Sequence, residues 1–378
     1  MIDERIFTKL LNPIIALQNE CTVEILSVFM DKIKEIKTDS KQIPLSIQEH
    51  DLLVIGELKN KYMRKTRKKI EVVFYTLADI VYDDCMDLYR YQHRKQTELK
   101  DDKDLWRLIN EAIATTLLIY NALCNDYYIK LLNQRTAVPI TKAYKQTINR
   151  AETTKGSDLD FDVFMADFIK SLIESGLKVK DNDRYYSLEN SVPNVVSQVM
   201  VEVAQSIYTY VGKKLNCDGV EISAHLAPAI DHAPCQGHQF TNQNWKLMQG
   251  GQPFVDTDNN LYTAFDRQIG TYNCKHLVKP IIVGVTKQLI SNHDLERILE
   301  ANERGYTTKD GKHYTFYECT QKLNYFKRKM DKSAQGITLS KHADNSGLVD
   351  KYNTSYSRYK SMYDTFKEQL DKRLYVNN

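Results

Sequence analysis

Glycine and proline are scarce, at 14 and 8 of 378 residues. So few turn-formers argue against a many-turned β-sandwich and in favour of long helices. No run of 18 or more apolar residues occurs, so no membrane-spanning helix is expected. The opening stretch MIDERIFTKLLNPII lacks a basic segment followed by a clean apolar core, and it is not expected to be a secretory signal. Charge of one sign is missing too: 52 Lys and Arg face 49 Asp and Glu, a net of +3. Bulk charge therefore does not predict nucleic-acid binding, which would need a local patch. G-x-G-x-x-G, Walker A, HExxH, GxSxG and EF-hand patterns are absent. Their absence removes the common nucleotide and cofactor enzymes from consideration. The seven Cys, at 21, 85, 124, 217, 235, 274 and 319, are odd in number and scattered. A chain this long needs no disulfide staples, so thiols reduced as in a cytosol are expected.

What is present is helical in its first half. Hydrophobic residues at 42% and charged residues at 27% are globular values. Residues 51–95 contain no Pro and one Gly, and Leu52, Ile55, Tyr62, Ile70, Val73, Leu77, Ile80 and Val81 recur at helical spacing. Residues 104–133 repeat the pattern with Leu105, Ile109, Ile113, Leu117, Tyr120 and Leu123. Asp160 is placed to cap a helix carrying Phe161, Phe164, Met165, Phe168, Ile169 and Leu172, ending before Gly176. Ser191 before Val192 and Pro193 reads as another helix start, because Pro fits the first turn. That helix runs through Val195, Val196, Val199, Val203 and Ile207 to Gly212.

The character changes near residue 217. Residues 212–284 hold seven of the 14 Gly, four of the eight Pro and four of the nine His. This reads as a loop-rich module with short strands at Val220–Ser223, Pro253–Val255 and Leu277–Val283. Helical periodicity returns after about 290. Residues 313–335 are aromatic and charged, and 348–374 place Tyr352, Tyr356, Tyr359, Tyr363, Phe366 and Leu370 three or four apart. With a polar link at 336–347, a helical hairpin is expected, its tyrosines forming a seam to the preceding helix or to a neighbouring subunit. The predicted class is α+β and predominantly α-helical. Four parts are expected: an N-terminal helical region at 1–150, a helical linker domain at 151–216, the His/Cys-containing module at 217–290, and the C-terminal hairpin at 291–378.

Chemistry-bearing residues concentrate in that module. His225, His232, Cys274 and His276 form a His₃Cys set of the kind that holds a structural zinc, with Cys235 as an alternative ligand. Cys274 and His276 are too close for a helix to aim both at one ion, but an extended loop can. The competing structural reading has these side chains hydrogen-bonding backbone groups and fixing turns. The same residues also admit a hydrolase, with Cys274 or Cys235 as nucleophile, His225 or His232 as base and Asp231 orienting it. Metal-assisted phosphodiester cleavage, with Asp231 or Asp266 completing the ligands, is a further alternative.

Two basic runs stand out. Lys59, Lys61, Arg64, Lys65, Arg67, Lys68 and Lys69 lie between Glu57 and Glu71, and Lys322, Lys327, Arg328, Lys329 and Lys332 surround Tyr325, Phe326 and the lone acid Asp331. Both read first as solvated helix faces. Contact with DNA phosphates or an acidic partner, weakening with salt, is the alternative.

The segments Val220-Glu-Ile-Ser-Ala-His225, His232, Cys235-Gln236-Gly237, Gly270-Thr-Tyr-Asn273-Cys274-Lys275-His276 and Pro280-Ile-Ile-Val-Gly284 together resemble the tailed-phage minor capsid protein 2 family of phages infecting Gram-positive bacteria. Tyr317-Glu-Cys-Thr-Gln-Lys-Leu-Asn-Tyr-Phe-Lys-Arg-Lys-Met-Asp-Lys is similar to its Gln- and Arg-rich helix. The resemblance covers about 160–374. It departs at Ile230-Asp231, where the family has Arg-Pro, and at Cys235, where it has Trp. An Arg-rich start to the 190–212 helix is absent. The resemblance implies a low-copy structural head protein, akin to Mu F-like head-morphogenesis proteins, rather than an enzyme. Its implied partners are the portal protein, the major capsid protein and packaged double-stranded DNA. Several copies around the portal are implied, at the portal vertex or capsid interior, after assembly in the host cytoplasm. The rival readings are a metal-dependent nuclease or hydrolase carried in the head, and a DNA-binding adaptor.

Overall fold

The computed structural model describes residues 4–36, 47–92, 102–132, 166, 169–170, 173, 179–181, 184–225, 228, 231–263, 267–270, 274, 276–308 and 310–374. Among them are eight helices and four small antiparallel sheets, a predominantly helical α+β architecture. The helical body comprises α1 (Glu4–Ile36), α2 (Ile47–Gln92), α3 (Lys103–Leu132) and, after the short hairpin β1 (Val179–Asp181) and β2 (Arg184–Tyr186), α4 (Leu188–Lys214).

The expected periodicity faces inward. Ile55, Tyr62, Ile70, Val73, Leu77 and Val81 of α2 are buried, as are Leu105, Ile109, Ile113 and Tyr120 of α3. They meet Ile14, Ile25 and Leu26 of α1 and Val196, Met200, Val203 and Ile207 of α4 in one apolar cluster. Each such side chain, fully buried, stabilises the fold by about 1.5–3 kcal/mol relative to exposure. Of the helix expected after Asp160, Ile169 and Ile173 are helical and buried, while Phe161, Phe164, Met165, Phe168 and Leu172 lie outside the described residues.

Helix α4 begins one turn before the expected Ser191. The Ser187 carbonyl already accepts the Ser191 amide at 2.9 Å, so Pro193 falls in the second turn. Pro193 lacks the N–H that the Glu189 carbonyl would otherwise accept. Val192 and Pro193 are both buried, Val192 within the apolar cluster of the helical body.

The module sheet has β3 (Gly219–Ile222) at its centre, flanked by β4 (Gln239–Thr241) and β7 (Val278–Ile281), both antiparallel to it. Between β4 and β7 lie α5 (Asn242–Gln249) and the β5 (Phe254–Val255)–β6 (Leu261–Tyr262) hairpin. Ile222, Phe240, Met248, Phe254 and Val278 make a second, smaller core. Pro280 is tolerated because β7 is an edge strand.

That edge is clamped to the helical body. The Gln205 side chain donates to the Val278 carbonyl at 3.0 Å and accepts the Val278 amide at 2.9 Å. Asp84 of α2 accepts from Tyr208 of α4 at 2.5 Å and from Lys279 of β7 at 3.2 Å. Burial alone would raise the Asp84 pKa, but these two partners hold it below the ordinary carboxylate value.

Beyond the module come α6 (Asn292–Arg304), the β8 (Tyr306–Thr307)–β9 (His313–Tyr314) hairpin, α7 (Phe316–His342) and α8 (Ser346–Leu374). A capping box between Thr315 and Glu318 starts α7. The hairpin link is far shorter than the expected 336–347, since α7 continues through Gly336 to His342 and leaves only 343–345 between the helices. Gly336 is a packing residue rather than a breaker. Its lack of a side chain lets the Tyr352 ring press against α7. The tyrosine stripe forms the α7–α8 seam: Tyr325 meets Tyr359 edge-on, and Phe326 meets Phe366 with ring centroids 6.0 Å apart.

Candidate metal centre

Three backbone segments converge below the end of β3. The first is the exit from β3 itself. Ser223 and Leu277 lock together there: the Ser223 amide donates to the Leu277 carbonyl at 2.8 Å, and the Leu277 amide donates to Ser223 Oγ at 2.9 Å. This pairing fixes His276, one residue before Leu277, beside His225, two residues after Ser223. The second segment is the turn 231–237, closed by the Gly237 amide on the Ile222 carbonyl at 2.8 Å. Gly237 has φ +74°, and a Cβ there would lie 2.3 Å from Leu295 Cδ2, so both conformation and space require glycine. The third carries residues 267–270, Cys274 and His276. Cys274 and His276 are two apart, the spacing at which an extended chain presents side chains on one face.

The result is a buried cluster. Cys274 Sγ lies 3.8 Å from His232 Nδ1 and 3.6 Å from His276 Nδ1. His232, Cys274 and His276 are 1%, 5% and 3% exposed. Among the described residues, they are the group of three His, Cys, Asp or Glu side chains whose ligand atoms all fall within 4.8 Å of one another. The His225 ring stacks on His276, with centroids 4.4 Å apart and planes tilted by 37°. The His225 amide donates to Gln236 Oε1 at 3.1 Å. Cys235 lies apart from the set, its thiol donating to the His232 carbonyl at 3.3 Å.

Hydrogen bonding fixes the His232 tautomer. Nε2 lies 2.7 Å from the Arg267 carbonyl, which can only accept, so Nε2 carries the proton. In the neutral ring this leaves the Nδ1 lone pair facing Cys274. Arg267 also reaches back with its side chain, donating through Nε and Nη2 to the Asp231 carboxylate at 3.1 Å each. Asp231 Oδ2 stands 3.5 Å from His232 Nε2.

These neighbours set the charge states. Burial opposes a charged His232, but its contacts with Cys274 and the Arg267 carbonyl prevail and raise its pKa. Burial likewise opposes a Cys274 thiolate, and the hydrogen bonds from His232 and nearby backbone prevail, lowering its pKa. His276 is pushed down to about 2, first by burial and then by the positive charges of His225, His232 and Arg267. Burial pushes Cys235 up to about 12, so it remains a neutral thiol.

Motif reading does not single out Arg267. Arg267 acts mainly through its backbone oxygen, which carries no residue signature. Asp256, the centre of a second polar node, accepts from Asn260 and Tyr262 and lies 3.2 Å from His238 Nδ1. The turn-prone Asp-Thr-Asp-Asn-Asn at 256–260 is its signal in the sequence. Asp266, weighed as a ligand, lies outside the described residues.

The two basic runs sit on α2 and α7. Lys61 pairs with Glu24 at 2.8 Å and Lys65 with Glu20 at 3.6 Å, while Lys59 lies over the Tyr128 ring. Arg64 donates to its own helix, at the Asn60 carbonyl. Arg67, Lys68 and Lys69 are exposed, with no ion pair to a described residue. On α7, Lys322 and Lys329 lie over Tyr314 and Tyr325, Lys327 is half-buried and Arg328 is exposed.

Comparison with known proteins adds one finding. Residues 2–366 match the family model described as phage minor capsid protein 2. No curated protein and no solved structure matches the chain.

Proposed function

The chain belongs to the phage minor capsid protein 2 family and is thus a minor structural component of a phage virion, and we propose that it is a low-copy building block docked on the portal ring at the inner face of the head. The observation that carries this reading is the apolar surface of α2 and α3. Leu53, Val72, Leu118 and Ile129 are 60–70% exposed on these two helices. Large apolar side chains presented to water in that number support burial against another protein. The clamped module supplies the rigidity that a building block needs, because Gln205, Asp84 and Lys279 tie its edge strand to the helical body.

DNA contact is a second reading, supported by Arg67, Lys68 and Lys69 on α2. Their charges are available to phosphates, unlike those of Lys61 and Lys65. For the enzyme alternatives the site offers little access. His232, Cys274 and His276 are all under 6% exposed, which suits a structural centre better than one reached by a polymer substrate.

Co-expression with the portal protein, followed by isolation of the ring, tests the assignment. Co-purification that is lost in Leu118→Asp together with Ile129→Asp is expected. Absence from the ring, and from the portal vertex of a reconstructed particle, overturns it.

A further inference from the structure

We propose that His232 Nδ1, Cys274 Sγ and His276 Nδ1 bind one Zn²⁺, and that the His225 ring packs over the site without joining it. The first support is the shape of the triangle. Zinc takes thiolate sulfur at about 2.3 Å and imidazole nitrogen at about 2.05 Å, so the sulfur–nitrogen edge of its tetrahedron is about 3.6 Å. The two sulfur–nitrogen distances here are 3.6 and 3.8 Å. Two imidazoles on one tetrahedral ion place their ring centroids about 5.2 Å apart by the same geometry. His232 and His276 stand 5.4 Å apart at 74°.

The second support is the outer layer. A ligating histidine ordinarily gives its other N–H to a carbonyl or carboxylate, which fixes ring and tautomer. His232 does this with the Arg267 carbonyl at 2.7 Å. Arg267 is itself held by Asp231, so the orienting carbonyl belongs to a braced residue. His276 has no such partner: its Nε2 is buried without a hydrogen bond, so the outer-layer tie belongs to His232 alone.

The geometry excludes two neighbours from the ligand set. His225 stacks on His276 at 4.4 Å, closer than the spacing of two rings on one tetrahedral ion. Cys235 directs its thiol to the His232 carbonyl. Zinc is chosen over harder cations because one thiolate and two imidazoles suit a borderline-soft ion.

The test uses the full chain, purified without chelator, dialysed against excess Zn²⁺ and then against buffer. Elemental analysis is expected to give one zinc per chain. Titration of the metal-free chain with Co²⁺ is expected to give a thiolate-to-cobalt charge-transfer band and a tetrahedral visible spectrum. Cys274→Ser is expected to abolish that band, while Cys235→Ser keeps it. His225→Ala is expected to keep one equivalent, with affinity lowered no more than roughly 10–100-fold. His232→Ala and His276→Ala are expected to lose stoichiometric binding, with circular dichroism confirming the retained helices. The inference is overturned if the wild-type chain gives no cobalt–thiolate band. It is equally overturned if Cys274→Ser retains the band or His225→Ala abolishes binding. These readouts need no virion, so their failure leaves the docking assignment standing, and the reverse also holds.

Discussion

Gly336 of α7 and Tyr352 of α8 are in such close contact that a Cβ on the glycine would lie 2.6 Å from two ring atoms of the tyrosine. Gly336→Ala therefore sets two effects against each other. Alanine improves helix propensity by up to about 1 kcal/mol. Overpacking costs typically about 1–3 kcal/mol, and at 2.6 Å the ring must shift. Net destabilisation of about 1–2 kcal/mol is expected from the clash. Urea denaturation checks it, and in the Tyr352→Ala background the cost should vanish. An unchanged midpoint in the wild-type background would show that the seam yields freely.

Asp102 stands just before α3 and does two things at once. Its Oδ1 accepts the amides of Asp104 and Leu105, and its carboxylate accepts from Tyr210 and Lys214 of α4. Asp102→Ala removes a helix cap and a tie between helices. A loss of about 1–2 kcal/mol is expected, mainly from the cap, because Lys214 is well exposed and its ion pair is screened. Asp102→Asn should recover part of it by keeping an acceptor for the amides. Equal losses in both variants would contradict the capping account.

Acid should weaken the clamp between module and body. The folded-state pKa of Asp84 lies below its ordinary value near 3.8, because Tyr208 and Lys279 outweigh burial. Its stabilisation is therefore present above the unfolded value and lost as pH falls through the folded one. Denaturation midpoints between pH 6 and pH 2 should fall at the acid end in wild type, and less steeply in Asp84→Asn. Parallel curves for the two proteins would refute the linkage.

Gly237→Ala should disturb the turn that carries His232. The residue has φ +74°, and the new Cβ would meet Leu295 at 2.3 Å. A left-handed alanine costs about 1–2 kcal/mol before the clash is counted. Lowered thermal stability is expected, with hydrogen exchange faster in 231–237 than in α2. Exchange that quickens everywhere alike would point to global destabilisation instead.

If α2 touches DNA, Arg67, Lys68 and Lys69 carry the interaction. Replacing all three by Gln should reduce the slope of log affinity against log salt by about 0.9 for each phosphate that is no longer neutralised. Gel-shift titrations at several salt concentrations measure the slope. An identical slope in the variant would remove α2 from the account.

Much of the helical body could be read from spacing alone. Ile70, Val73, Leu77 and Val81 recur at helical intervals, and all four are buried. The strand expected at Leu277–Val283 is found at Val278–Ile281. Gly336 misled for a physical reason: in sequence, a glycine in a polar stretch reads as a break, and only the ring packed over it explains its place inside α7. Ser191 misled similarly: the helix starts at Leu188, and Ser187 at its N-cap makes no side-chain capping bond that would mark it. The short elements β4, β8, β9 and α5 carry too few residues for a period to register.

The sequence by itself determined where helices run, which faces are apolar, and that His and Cys gather between 225 and 276, because periodicity and composition are local properties. Only the tertiary structure decided which of those side chains meet. His232 and Cys274 are 42 residues apart, and their approach to 3.8 Å exists because β3, the 231–237 turn and the run into β7 are hydrogen-bonded into one frame. The same frame sets His225 against His276 as a stacked ring and turns Cys235 toward a carbonyl. Residue type names candidate ligands, but the distances and directions that select among them are properties of the folded backbone.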